Sequence, residues 1–301
     1  MNKKNLIALV VVATLGVIAY LTSKNNDDQP SSKTGIGAEV VKKIDPTKIT
    51  AITITDKNGS VTLEQKDQQW NVLERDGFEA KFEDIQKLVS DSVTLKSLRQ
   101  INASEKQYGR FELVDPSSSQ DKSGLKLEFK GSDKKILKTL LIGKKSSSNS
   151  GANAGSPFGS SDNQRFVLAD GIINVIEIDF SSALNDIAAD ASEWLNKDDF
   201  LKIEKIKSVS VNHSDKANSW SLTREKDGDD MTLVDAKEGE KLDSSKGNST
   251  GRVFGFANFD DVASKETDPK DIGMDKAVSA NIETFEGYNF AIKMSKSGED
   301  H

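Results

Sequence analysis

The chain has 301 residues, a formal charge of −7 and 30% charged residues, with no Cys and only two His. That balance argues against nucleic acid, which selects a basic face. The lack of Cys excludes disulfides, thiolate nucleophiles and thiolate metal sites together.

After Met1-Asn2-Lys3-Lys4 comes an uncharged run, Leu6 to Leu21. As a helix it rises about 24 Å at roughly 1.5 Å per residue. A hydrocarbon core is about 30 Å thick, so Asn5, Thr22 and Ser23 extend the span at the interfaces. Tyr20 stands near the far end, where an amphipathic ring suits the interface, and Lys3 and Lys4 hold the N-terminus in the cytoplasm. The expectation is an uncleaved single-pass signal anchor, residues 1–23, that contacts the lipid bilayer through Leu6 to Leu21. It places the protein in the cytoplasmic (inner) membrane, N-terminus inside, with the bulk of the chain extracytoplasmic. A cleaved signal peptide is the competing reading. Val17-Ile18-Ala19 is the nearest small-x-small pattern, and it falls inside the apolar run.

Residues 24–45 are polar, with Pro30 and two glycines in KNNDDQPSSKTGIGAEV, and read as a flexible stalk. Two units then follow, residues 46–200 and 201–301, and they repeat one pattern. Ile49-Thr50-Ala51-Ile52-Thr53-Ile54 opens the first, and Ile206-Lys207-Ser208-Val209-Ser210-Val211 the second. Both alternate apolar and polar residues, the period of a half-buried strand. Asp56-Lys57-Asn58-Gly59 is a strong hairpin signal. Ser60-Val61-Thr62-Leu63 matches Ser219-Trp220-Ser221-Leu222, and Trp70-Asn71-Val72-Leu73 matches Met231-Thr232-Leu233-Val234. Each unit therefore begins with a three-stranded antiparallel meander.

A helix is expected over Phe82, Ile85, Leu88, Val89, Leu95 and Leu98, with Asp91-Ser92 as an interruption. Its less regular counterpart holds Val253, Phe256, Phe259 and Val262. A Gly-centred corner follows in each unit, Tyr108-Gly109-Arg110-Phe111 and Ile272-Gly273-Met274-Asp275, and strands resume at Leu125 and Ile282. The first unit continues with strands at Ile136 to Ile142, Arg165 to Leu168 and Val175 to Ile178, and a helix around Ser181 to Leu195. The second stops after Phe290 to Met294, so it reads as incomplete: a native chain shorter than its repeat, or a truncated one. The fold expected is α+β, an N-terminal transmembrane helix followed by two tandem antiparallel-sheet-plus-helix units, the second incomplete.

Lys145 to Asp162 is a Ser/Gly/Asn tract that cannot bury apolar area and reads as a loop. A phosphate-cradling loop at Gly143-Lys144 is the alternative, but G-x-x-x-x-G-K-[ST] fails at Lys138 and Lys145.

The chain resembles an uncharacterised bacterial family, domain of unknown function 4340 (DUF4340). Four pieces carry the resemblance: the anchor with its stalk, Val61-Thr62-Leu63 with Trp70-Asn71-Val72-Leu73, the Tyr-Gly corner leading to Asp115-Pro116, and Leu140-Leu141-Ile142-Gly143-Lys144 before Arg165-Phe166-Val167-Leu168. The resemblance implies a membrane-anchored extracytoplasmic protein, whose relatives are often encoded near ABC-type export components and gliding-motility auxiliary proteins. It implies no catalytic residues.

Candidate chemistry is sparse. Asp227-Gly228-Asp229-Asp230 could ligate calcium, but EF-hand spacing fails and a hairpin turn explains it. Asp260-Asp261 with Glu266 and Asp268 reads as a solvated helix end. His213 adjoins Ser214 and Asp215, yet neighbours in a turn do not make a triad. Trp70 and Trp220 suit a sheet core, and Trp194 suits packing of one unit on the next. No catalytic, cofactor-binding or metal residue is assigned, and no cofactor is expected. The function expected is a non-catalytic, membrane-anchored accessory or binding protein. Its partner would be a membrane protein complex, with ABC transporter components as the example the resemblance implies, and not nucleic acid. A carboxylate-based hydrolase or glycan-binding enzyme is the first alternative, marked by two carboxylates about 5–9.5 Å apart in a cleft. A structural envelope spacer is the second.

Overall fold

The computed structural model describes residues 37–41, 44–119, 121–146, 164–179, 184, 187–198, 200–255 and 257–296. The apolar run Leu6 to Leu21, most of the expected stalk and nearly all of the Ser/Gly tract lie outside them. Among the described residues, no helix is long and apolar enough to cross a membrane. The chain divides into two compact units between Asn196 and Lys197. The architecture is α+β, with an antiparallel sheet in each unit.

The first sheet has nine strands in the order β4-β3-β2-β1-β6-β7-β8-β9-β5. They are β1 (Ala51–Thr55), β2 (Ser60–Lys66), β3 (Gln69–Val72), β4 (Phe78–Glu79), β5 (Ser97–Ile101), β6 (Leu125–Lys130), β7 (Ile136–Lys145), β8 (Gln164–Ala169) and β9 (Val175–Asp179). The β1–β2 turn forms where expected: Asp56 Oδ1 accepts the N–H groups of Asn58 and Gly59 at 2.7 and 3.0 Å. Helix α1 (Phe82–Val93) joins the opposite edge strands β4 and β5, so it crosses the sheet. It buries Ile85, Leu88, Val89 and Val93.

Helix α1 runs through Asp91-Ser92 and stops before Thr94, short of the Leu95 and Leu98 expected in it. Thr94 Oγ1 donates to Ser90 C=O at 2.9 Å, which closes the last turn. Leu95 is then drawn into pairing with the chain before β1: Val40 N–H donates to Leu95 C=O, and Ser97 N–H to Ala38 C=O. Val40 and Val41 are buried, so the expected stalk already belongs to the sheet edge at Gly37–Val41. The helix expected over Ser181 to Leu195 is not continuous. Residues 187–190 are irregular and a 3-10 turn covers Ala191–Trp194. The Trp194 indole N–H donates to Ala188 C=O at 3.0 Å and its own C=O accepts from Lys81 N–H, so its hydrogen bonds are made inside the first unit.

The second sheet has five strands in the order β12-β11-β10-β13-β14. They are β10 (Ile206–Asn212), β11 (Trp220–Thr223), β12 (Thr232–Leu233), β13 (Val278–Thr284) and β14 (Asn289–Met294). This order reproduces β3-β2-β1-β6-β7, and the registers coincide. Ile52 lies between Leu63 and Phe129, and Val209 between Leu222 and Ile282. Ile54 lies between Val61 and Leu127, and Val211 between Trp220 and Ala280. Further out, Leu125 faces Ile142 and Val278 faces Met294.

The second unit's helix is not where the spacing of Val253, Phe256, Phe259 and Val262 put it. Helix α2 is Ser244–Thr250, started by Asp243, whose Oδ1 accepts from Ser245 and Lys246 N–H. Turns follow around Gly251 and Gly255, and Phe256 lies outside the described residues. Phe259 instead stands edge-on to Phe200, with centroids 4.7 Å apart.

Candidate functional site

The two sheets carry the same apolar strands but differ in what lies on them. Helix α1 supplies four buried aliphatic side chains. Helix α2 reads Ser-Ser-Lys-Gly-Asn-Ser-Thr and buries only Gly247. A Cβ on Gly247 would stand 2.7 Å from Leu242 Cδ2, so the helix approaches its neighbour by having no side chain there. Polar ties hold it: Asn248 Oδ1 accepts Met231 N–H at 3.0 Å, and its Nδ2 donates to Asp230 Oδ1 at 2.7 Å.

An apolar trough of about 1060 Å³ is left between the second sheet and this polar wall. Val211, Trp220, Val278 and Met294 line its sheet side, Val253 and Phe254 the other. Of their equivalents in the first unit, Ile54, Val61 and Ile142 are sealed and Leu125 is half-buried. Here Met294 is 40% exposed and Val253 57% exposed. Phe254 is fixed by its C=O, which accepts Ile203 N–H at 2.9 Å.

The loop of residues 270–276 forms one end of the trough. Gly273 has φ 70°, and a Cβ there would lie 2.7 Å from Lys296 C=O. Ser295 Oγ donates to Ile272 C=O at 2.7 Å, which pins this loop to the end of β14. The rim carries Lys270, Lys276 and Lys296 beside Asp271 and Asp275. An apolar floor with a few charged groups at the mouth suits a ligand that is mostly apolar.

The residues singled out in the sequence are dispersed. His213 lines the trough and its backbone N–H donates to Ser219 Oγ at 3.0 Å, while the Asp215 carboxylate caps the following turn at Ala217 N–H. The carboxylates of Asp227, Asp229 and Asp230 serve three different partners: Arg224, the N–H of Lys226, and Asn248. Among the described residues, no group of three or more His, Asp or Glu is placed to hold a metal ion. Asp260, Asp261, Glu266 and Asp268 lie on irregular chain rather than at a helix end. Asp268 and Asp261 accept from the backbone N–H groups of Lys270 and Val262. Trp70 is buried in the first sheet, and Trp220 is the half-buried aromatic of the trough.

Gly143-Lys144 lies inside strand β7, so it is not a phosphate-cradling turn. Gly143 is required there because a Cβ would meet Phe111 C=O at 2.2 Å. Arg165 is half-buried beside a separate polar cleft in the first unit. Burial pushes its guanidinium down from the ordinary value, against the Glu112 charge. At the sheet edge, Arg99 holds the buried Glu177 carboxylate through Nε at 2.8 Å and Nη2 at 2.7 Å. Ser146 Oγ donates to the other oxygen of Glu177. This network ties β5 and the end of β7 to β9.

The trough is the feature that sequence reasoning missed. Its signal was present in Ser244–Thr250, a helix with no apolar residue to lay on an apolar sheet. Compared with known proteins, the family described as Domain of unknown function (DUF4340) matches residues 70–277. No curated protein and no solved structure matches the chain.

Proposed function

The chain belongs to the DUF4340 family, and from that premise we propose that it is a non-catalytic binding protein. Leu6 to Leu21 anchors it in the cytoplasmic membrane, and it engages a membrane protein complex from the extracytoplasmic side. The observation that carries this reading is the open trough, about 1060 Å³ of mostly apolar space on a sheet whose twin is sealed. Exposed apolar surface of this kind on an otherwise polar chain is characteristic of a recognition site. The apolar run after Lys3 and Lys4 supports a trough that faces the extracytoplasmic side. An ABC-type transport or gliding-motility-like assembly is the partner class that the family resemblance supports.

Two measurements test it. Protease treatment of intact spheroplasts, followed by mass spectrometry, should digest the chain beyond Ser23 and leave an intact peptide that begins at Met1. An N-terminus after Ala19, or a fully protected chain, would contradict the anchor. Native gel electrophoresis of detergent extracts should show a complex larger than the protein alone, lost on Met294→Glu. Absence of any reproducible larger complex would contradict the binding role.

A further inference from the structure

In the first sheet, register puts four residues in one row. Ile142 lies opposite Val167, Val167 opposite Ile176, and Ile176 opposite Gln100, so they share a face. The first three are buried and Gln100 is half-buried. Two residues along from Leu140, Ile176 and Gln100, the same face carries Lys138, Asn174 and Asn102. The apolar face thus turns polar at one end, and these groups line a cavity of about 600 Å³ together with residues 38–40 and 170–173. Asn174 Nδ2 approaches Gln100 Oε1 at 3.5 Å. The Gln100 amino group, the Asn174 oxygen and the Asn102 carboxamide have no other side-chain partner among the described residues. Ser97 also lines the cavity, is 2% exposed, and has an Oγ with no hydrogen-bond partner among the described residues. A buried hydroxyl in that state is costly, and a bound polar group removes the cost. Charge is balanced: Lys138 is set against Glu39, and Asp170 Oδ2 accepts Thr139 N–H at 2.7 Å. The turn that bears Ile173 is held from both sides, by Asp170 N–H on Thr139 C=O and by the Tyr108 hydroxyl on Ile173 C=O at 2.7 Å. The Ile173 side chain is nevertheless 74% exposed.

We propose that this cavity is a carbohydrate subsite that takes one uncharged hexose unit of a glycan. A carboxamide sets an acceptor beside two donors, which matches a hydroxyl that both accepts and donates. An ionic ligand would call for an excess of one charge, which the cavity lacks. Three carboxamides around one cavity suit a ring with several hydroxyls better than an extended peptide, whose donors and acceptors are spread along a line. Gln100, Asn102 and Asn174 bond the hydroxyls, the C–H face of the ring rests on Ile173, and the Ser97 hydroxyl is the innermost polar group of the site. The subsite goes beyond the binding role proposed above and does not use the trough, which belongs to the other unit.

The test uses the full chain in a detergent without a sugar headgroup and saturation-transfer NMR on added ligands. The probes are the methyl glycosides of glucose, galactose and mannose, N-acetylglucosamine, glucuronate, and acetyl-trialanine amide. At least one uncharged sugar should bind, and more tightly than glucuronate or the peptide. Asn102→Ala/Asn174→Ala should weaken that sugar by about tenfold or more, the scale of one or two lost hydrogen bonds. Ile173→Ser should weaken it by a smaller factor. Ser97→Ala should also weaken it without lowering the urea midpoint, since no hydrogen bond within the protein is lost, whereas a purely structural serine would lower the midpoint and leave the sugar bound. No sugar bound at tens of millimolar would overturn the inference, as would sugar binding that survives Asn102→Ala/Asn174→Ala. Binding of the peptide alone would overturn it in favour of a peptide site, and binding of glucuronate alone in favour of an anion site. Met294→Glu should leave sugar binding unchanged. Its loss there would place the sugar in the trough and overturn the subsite, while failure of the sugars with the native complex still lost on Met294→Glu leaves the binding role standing without it.

Discussion

Two sheets with one strand order and one register end in opposite states, and equivalent residues show it. Ile142 is 2% exposed, whereas Met294, at the same place in the second sheet, is 40% exposed. Strand patterning does not cause the difference, because both sets alternate apolar and polar residues. Two covers do: strand β8, which lies beside Ile142, and the connection after the third strand. In the first unit it delivers Ile85, Leu88, Val89 and Val93 to the sheet, and in the second it delivers a polar helix. Strand patterning builds the sheet, while what covers it decides whether its face becomes core or open trough.

The largest effect that can break this comparison comes from truncating equivalent side chains. Ile142→Ala should cost about 2–5 kcal/mol, as for a sealed core residue. Met294→Ala should stay within roughly 0.5 kcal/mol, as for a surface change. Denaturant unfolding measures both, and equal costs would mean that the second face is as closed as the first.

Next in size is Gly143→Ala, whose Cβ would meet Phe111 C=O at 2.2 Å. Overpacking of this kind costs about 1–3 kcal/mol, and a silent substitution would remove the close approach of β7 to the Tyr-Gly corner. Filling the trough should act in the opposite direction. Ala280→Leu installs the residue that Leu127 provides in the first sheet, where space now exists. It should raise stability by about 0.5–1 kcal/mol, at the scale of one or two buried methylene groups after repacking. It should also weaken occupancy of the trough. A destabilised Ala280→Leu protein would show that no such space is available.

The smallest effect lies in the first unit and sharpens the contrast in polar anchoring. Lys126 sits between Asp115 at 2.9 Å and Glu128 at 3.2 Å. Burial pushes the Asp115 carboxyl up, but hydrogen bonds from Lys126 and Ser117 and the Lys126 charge overcome it, so its pKa lies below the ordinary value. Burial pushes the Lys126 ammonium down, and its two carboxylate partners raise it more. A depressed carboxyl pKa gives stability that is present above the unfolded value, about 3.9, and is lost as pH falls through the folded value. The raised Lys126 value gives stability that is full below about 10.4 and is lost as pH rises through the folded value. Lys126→Met should therefore cost about 1 kcal/mol near neutrality, after allowance for solvent screening. The difference from wild type should shrink in acid, as measured by urea unfolding at several pH values.

Both meanders were legible because their signals are local: alternation in Ile49 to Ile54 and Ile206 to Val211, and the Asp56–Gly59 turn. The repeat followed from matching such signals in order. Helix boundaries were not legible where tertiary pairing overrode period. Leu95 fits the helical spacing but pairs with Val40. Val253, Phe256, Phe259 and Val262 suggested a helix, but the Asp243 cap and the glycines at 251 and 255 moved it upstream. The trough was not legible because it is a missing contact: no residue announces it, only the absence of apolar side chains in Ser244–Thr250.

The central claim is that the second sheet's face is open in the isolated protein and occupied in the cell. Because the chain has no Cys, single substitutions report accessibility without background. Met294→Cys and, at a sealed position of the first sheet, Val61→Cys should be treated with a membrane-impermeant maleimide, in purified protein and in intact spheroplasts. The account predicts rapid labelling of Met294→Cys in the purified protein, strong protection of it in spheroplasts, and no labelling of Val61→Cys in either. Equal labelling of Met294→Cys in both settings would contradict it.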